Sequence, residues 1–191
     1  IREDMNILAK FSAEPVTYKT LRVEQNGKGT TSLAYGSGNP IEITSTTRNT
    51  YTRSFAKYTT VKLTATRDPN ESNCKFIGWY LVTGDDQVLL SEEKEFEITL
   101  TEDTSIIAVF KNIYQFTATA DESSLGKISM NGGDSYGAAA RLVIEGDSIT
   151  LKAVPKNGGI FEGWYLVKGQ SEEFISKDEE YTFGNIREDM N

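Results

Sequence analysis

The sequence predicts a mainly β chain: two tandem small β-sheet modules of short antiparallel strands and hairpins, with little or no helix. Three observations carry this reading. KFIGWYLVTG, Lys75 to Gly84, returns as IFEGWYLVKG, Ile160 to Gly169, at a constant shift of 85 positions (Trp164 against Trp79). The only two tryptophans of the 191 residues stand at the same place in both copies, and a repeat that spends its largest apolar side chains this way is building cores around them. Around these copies run short alternating apolar stretches punctuated by Gly, Asn, Asp and Pro, the pattern of strands and turns.

Residues 1–12 read as the closing strand of a preceding repeat. The opening IREDMN returns as Ile186 to Asn191. EFEITLTEDTSIIAVF, Glu95 to Phe110, reads as a strand, an acidic turn and a closing strand; EYTFGNIREDMN, Glu180 to Asn191, repeats only the strand and the turn. The residues after the first IREDMN supply the missing piece: Ile7, Ala9 and Phe11 match Ile106, Ala108 and Phe110, while Lys10 replaces Val109. The expectation is a fragment of a longer protein that repeats every 185 residues (position 186 against position 1), cut out of phase with its modules.

Residues 13–112 form the first module. Tyr18 to Glu24 is a strand ending at Gln-Asn-Gly-Lys-Gly, a hairpin signal because Asn-Gly supplies the positive φ of a tight turn. Thr30 to Tyr35 and Ile41 to Thr47 follow, and residues 36–58 read as an insertion holding an extra strand or hairpin and a loop. Thr59 to Thr66 alternates cleanly, with Val61, Leu63 and Ala65 on one face. The Trp79 strand then turns at Thr83 to Asp86 into Gln87 to Leu90. Residues 113–191 form the second module, which lacks its last strand. Its strands are Tyr114 to Ala120, Gly126 to Met130, Ser148 to Val154, the Trp164 strand and Glu179 to Phe183; Tyr136 to Gly146 is its one candidate for a short helix. Asn112 to Tyr114 has almost no linker character, so the modules should stack with limited bending.

Strict alternation places Phe76, Gly78 and Tyr80 on one face and Ile77, Trp79 and Leu81 on the other. Position 77 becomes Glu162 in the second copy, a solvent-facing residue that would take Trp79 outward with it. Two readings follow: without a bulge Trp79 stands exposed as a contact surface, and a bulge at Gly78, the favoured one, would shift the register and turn the tryptophan inward. The structural core is then Phe76, Gly78, Trp79 and Phe110 in the first module and Phe161, Gly163 and Trp164 in the second.

The order of elements in the second module resembles the divergent internalin B B-repeats, related to the Listeria–Bacteroides repeat modules of bacterial surface proteins. The residues that carry the resemblance are SITLKAV, a Pro/Gly turn, FEGWY, a variable hairpin, EEYTF, an acidic turn and a closing LAKF or IAVF strand. It covers the second repeat almost end to end and the first apart from 36–58. It implies small β-rich modules strung along extracellular proteins, typically of Gram-positive bacteria, attached to the cell wall through regions outside this sequence and acting as stalk or adhesin segments. It brings no catalytic residues.

Composition agrees with a non-enzymatic reading. No histidine is present, which removes Ser-His-Asp and Cys-His catalysis and the usual zinc sites. The single cysteine, Cys74, is replaced by Gly159 in the second repeat and has no partner base. The acidic pairs, from Asp85-Asp86 to Glu179-Glu180, lack the alternating spacing that wraps calcium, so no metal, cofactor or catalytic residue is assigned. A net charge of -8 without a basic stripe argues against nucleic acid, and no apolar run is long enough to span a membrane. The alternative function is a binding module for a glycan or host protein, using Tyr51, Tyr58, Tyr80, Tyr165 and the 36–58 segment. Neighbouring copies of the same repeat are the other expected partners, through head-to-tail donation of the strand at residues 7–11 to the open edge of the second module.

Overall fold

The computed structural model describes residues 8–44 and 50–190, and no helix occurs among them. The first module is a two-layer β sandwich. Its strands are β1 (Tyr18–Asn26), β2 (Gly29–Tyr35), β3 (Ile41–Thr44), β4 (Thr50–Ala56), β5 (Thr60–Arg67), β6 (Cys74–Thr83), β7 (Asp86–Ser91), β8 (Glu95–Thr99) and the first part of β9 (Thr104–Thr119). One layer has the order β4-β1-β9-β6-β7, the other β3-β2-β5-β8. Alternation along each strand sends Leu21, Val23, Leu33, Val61, Leu63, Ile106 and Ala108 into the space between the layers, where none is more than 2% exposed.

The Asn26-Gly27 turn does not close a hairpin. Both edges of β1 are occupied, by β4 antiparallel and by β9 parallel, so the turn carries the chain across the sandwich to β2 in the opposite layer. The turn residues set the local reversal; the burial of Leu21 and Val23 against Leu33 sets the destination.

The second module follows the same order with β10 (Gly126–Met130), β11 (Ser135–Tyr136), β12 (Ala138–Ile144), β13 (Ile149–Pro155), β14 (Trp164–Lys168), β15 (Ser171–Ser176) and β16 (Glu180–Phe183). Its β11-β10-β13-β16 layer reproduces β3-β2-β5-β8, and the β14-β15 ribbon reproduces β6-β7. The distal part of β9 stands where β1 stands in the first module and pairs with β12 as β1 pairs with β4.

Two sequence expectations are thereby corrected. The 36–58 segment is not an insertion, because β3 and β4 have counterparts in β11 and β12. The two connections differ in length, 36–59 against 131–148, which is 24 positions against 18. Positions 45–49, part of that expectation, lie outside the described residues. The Ala-rich Tyr136 to Gly146 stretch is a strand rather than a helix, since pairing of β12 with β9 along seven register positions outweighs the helix propensity of Ala, Arg and Leu.

β9 is one unbroken strand of 16 residues that belongs to both modules. Glu145, just past β12, clasps the splice. Its carboxylate accepts from the Asn112 backbone N–H (3.2 Å) and side-chain amide (3.1 Å), and its own N–H donates to the Asn112 carbonyl (2.9 Å). Lys111 Nζ donates to the Glu145 carbonyl at 3.2 Å.

Candidate functional site

The repeated Phe-x-Gly-Trp strand organises each core. In the first module Phe76 pairs with Phe110 and Gly78 with Val109, so Ile77 is the extra residue of a bulge and both Phe76 and Trp79 point inward. Trp79 is fully buried, and its indole N–H donates to the Glu93 carbonyl at 3.0 Å. Trp164 repeats the arrangement with the Asp178 carbonyl at 2.9 Å, giving each buried indole the partner its polar edge needs. Glycine is required at position 78 by close approach: a Cβ there would lie 2.7 Å from Leu89 Cδ1 and 2.9 Å from the Ser91 carbonyl. Gly163 meets Phe174 and Ser176 in the same way.

The modules part company at the neighbour of this strand. In the first, β9 lies between β1 and β6 and seats Phe110 against Phe76, ring centroids 5.3 Å apart, with Phe76 in turn 5.4 Å from Trp79. Phe110 also covers Gly29, where a Cβ would fall 2.3 Å from its ring. In the second module no described strand lies between the distal part of β9 and β14. Phe161 touches Trp164 (5.1 Å) and is only partly buried. Gly126, the register counterpart of Gly29, has nothing nearer than 3.7 Å over the place of its Cβ.

A groove of about 580 Å³ occupies the gap, walled by Phe116 and Ala118 on one side and Phe161 and Trp164 on the other, with Ile128 and Leu151 among its lining residues. At one end Met190 bridges Phe116 in parallel, and Asp189 Oδ1 accepts from the Gln115 N–H at 2.7 Å. The same arrangement begins the closing strand of the first module, where Thr104 pairs with Leu21 and Asp103 Oδ1 accepts from the Thr20 N–H at 2.8 Å. These two aspartates, and Glu145 at the splice, were missed as structural residues by sequence reasoning. The signal for the aspartates was present, since each is the Asp of a Glu-Asp pair in the acidic turn, Glu102-Asp103 and Glu188-Asp189.

The tyrosines named as ligand contacts do not converge. Tyr51 packs against the first core from β4, Tyr80 is partly buried on β6, and Tyr165 lies in the other module with its ring edge-on to Phe174 at 5.6 Å. Tyr58 is 66% exposed with Lys57 Nζ 4.9 Å from its ring centroid. Its backbone has φ +70, and its N–H donates to the Leu100 carbonyl; Gly146, at φ +86, makes the same bond to Ile186.

Cys74 is buried, and its thiol donates to the Lys28 carbonyl at 2.8 Å. Burial pushes the thiol pKa up, the opposite of an activated nucleophile. Gly159 replaces it where a Cβ would collide with the Leu125 carbonyl at 2.2 Å, so packing accounts for the exchange. Among the described residues no three His, Cys, Asp or Glu side chains gather as a metal site, and no helix is long and apolar enough to cross a membrane.

No curated protein matches the chain. Among solved structures it is similar to one titled "The Bacillus anthracis TIE protein", at 12% identity and a TM-score of 0.31. The likeness covers 90% of this chain and 32% of that one, so the chain spans about a third of that protein's length. Residues 116–183, from the distal part of β9 to the end of β16, match the family described as the divergent InlB B-repeat domain.

Proposed function

We infer that the chain is a non-enzymatic tandem-repeat segment of a bacterial cell-surface protein, working outside the cell as a stalk or spacer, or as the shaft of an adhesin. The continuity of β9 through both modules carries this reading. A shared strand transmits tension through the backbone without a flexible linker, and the Glu145 clasp on Asn112 resists bending at the splice. The match of residues 116–183 to the divergent InlB B-repeat domain supports it. Anchorage to a Gram-positive cell wall, through regions outside this sequence, belongs to the same proposal.

Small-angle scattering tests the reading. The chain should scatter as one stiff, elongated body, and Glu145→Ala should broaden the distribution of inter-module angles while costing about 1 kcal/mol of stability. A wild-type chain that scatters as two freely jointed bodies would overturn the stalk.

One observation favours the second reading, a binding module for a glycan or host protein. Tyr58 places an exposed aromatic in a left-handed conformation that the other module assigns to glycine, and such strain persists where a side chain has a use. Glycan arrays and pull-downs with the intact chain decide it: binding that disappears in Tyr58→Ala would establish a ligand face, and uniform silence would remove it.

A further inference from the structure

We propose a mechanical function for the first module: the parallel seam between β1 and β9 is a shear clamp that carries tension along the chain. It deepens the stalk reading and rests on it, because a clamp has work to do only in a chain held under load.

Tension enters the module through the backbone before Tyr18 and leaves it through β9, which runs on into the second module. β1 and β9 are neighbours in one layer, paired in parallel from Leu21↔Thr104 to Asn26↔Val109. Parallel pairing sets the entry end of β1 level with the start of β9, so the two pulls run along the strands in opposite directions. All six register positions are loaded together. Were β9 antiparallel to β1, entry and exit would lie at the same end, and the seam would peel open one bond at a time. A parallel pair needs a long crossover, and β2 to β8 supply it outside the direct line of force.

Both ends of the seam are fastened. At the entry end Asp103 Oδ1 accepts from the Thr20 N–H at 2.8 Å, one position ahead of the first register pair. At the other end the turn after β1 closes on β9: a Cβ at Gly27 would lie 2.2 Å from the Phe110 carbonyl oxygen. The buried side chain of Gln25 pins that turn, its amide donating to the Gly29 carbonyl at 2.6 Å. Between the ends, Leu21 and Val23 of β1 and Ile106 and Ala108 of β9 are fully buried. A slip of one position would turn Leu21 and Val23 off the core face, so the seam cannot creep and fails only as a unit. β1 cannot slide out alone either, since its other edge pairs with β4 along seven positions.

Single-molecule pulling on the full chain tests the proposal, with cysteine handles that load one module in two directions. Val16→Cys with Lys111→Cys loads the seam in shear. Lys28→Cys with Lys111→Cys puts both handles at one end, because the Lys28 carbonyl accepts from Cys74, which pairs with Asn112. Val16 and Lys28 are exposed, and Cys74 is buried and stays unlabelled. Lys111→Cys is common to both chains, so its own cost cancels. Rupture should lengthen each by about 30 nm, and shear should require at least about twice the force of peeling. Asp103→Ala should lower the shear force and leave the peeling force nearly unchanged, since peeling from Lys28 reaches Thr20 last. A peeling force as high as the shear force overturns the clamp, and so does an equal loss in both geometries on Asp103→Ala. These outcomes are separable from the fate of the stalk. A stiff, elongated chain with equal forces keeps the stalk and removes the clamp; a freely jointed chain with unequal forces removes the stalk and leaves the shear resistance of the seam standing.

Discussion

Phe76 lies between two aromatic rings and Phe161 against one, and the difference traces to a single strand. Both phenylalanines occur in Phe-x-Gly-Trp-Tyr-Leu-Val, with nearly identical local propensities. In the first module the strand begins at Cys74, five residues before its tryptophan; in the second it begins at Trp164 itself. What the first has there is β9 as a hydrogen-bonding neighbour. Strand character at Phe-x-Gly is thus conferred by the adjacent strand, because extended backbone without a partner leaves its N–H and C=O groups to water.

Paired substitutions sharpen the comparison. The largest expected effect is at the tryptophans. Trp79→Ala should cost about 3–5 kcal/mol in chemical denaturation, and Trp164→Ala clearly less, since its neighbour Phe161 borders an open groove. Equal costs would mean that the groove does not loosen the second core. Gly29→Ala drives a methyl into the ring of Phe110 and should destabilise by about 1–3 kcal/mol; Gly126→Ala meets open space and should stay within ~0.5 kcal/mol.

The left-handed pair should respond with opposite signs. Tyr58→Gly relieves an αL side chain and should raise the stability of the first module by up to about 1 kcal/mol, whereas Gly146→Ala should lower that of the second by a similar amount. Thermal melts of both variants would show it, and a destabilised Tyr58→Gly would mean that the ring contributes more packing than its exposure implies. The smallest effect is at Cys74. With its thiol pKa raised by burial, the native chain should react with a thiol reagent only at the rate of unfolding. The folded state favours the protonated thiol, so this contribution is intact below the ordinary thiol pKa and fades as the pH rises through it toward the raised value. Rapid labelling of the native chain at neutral pH would contradict the burial.

Much of the sandwich was legible in one dimension. Alternation at Val61, Leu63 and Ala65, and at Ile149, Leu151 and Ala153, marks the inner face of each central strand, because burial on one side of a pleated strand imposes a period of two. The conflict between Glu162 and Trp164 pointed to a bulge, since one extra residue is the cheapest way to turn a tryptophan inward. The Asn26-Gly27 turn and the Ala-rich β12 were misread for a common reason: turn chemistry and propensity report local preference, while the choice of partner strand is made by distant residues. The 36–58 segment was taken as an addition because its counterpart is six positions shorter and shares no motif with it, although the pairings are the same.

By itself, then, the sequence determined the duplication, the mainly β class and the inner faces of the central strands, because each is written in periodicity or direct repetition. Tertiary structure alone decided that β9 is common to both modules, that Glu145 clasps the splice, and that a groove lies between the distal part of β9 and β14 among the described residues. Those outcomes depend on which edges face one another in space. The groove stays open because its walls are held apart by sheets already paired on their other sides, β9 by β12 and β14 by β15.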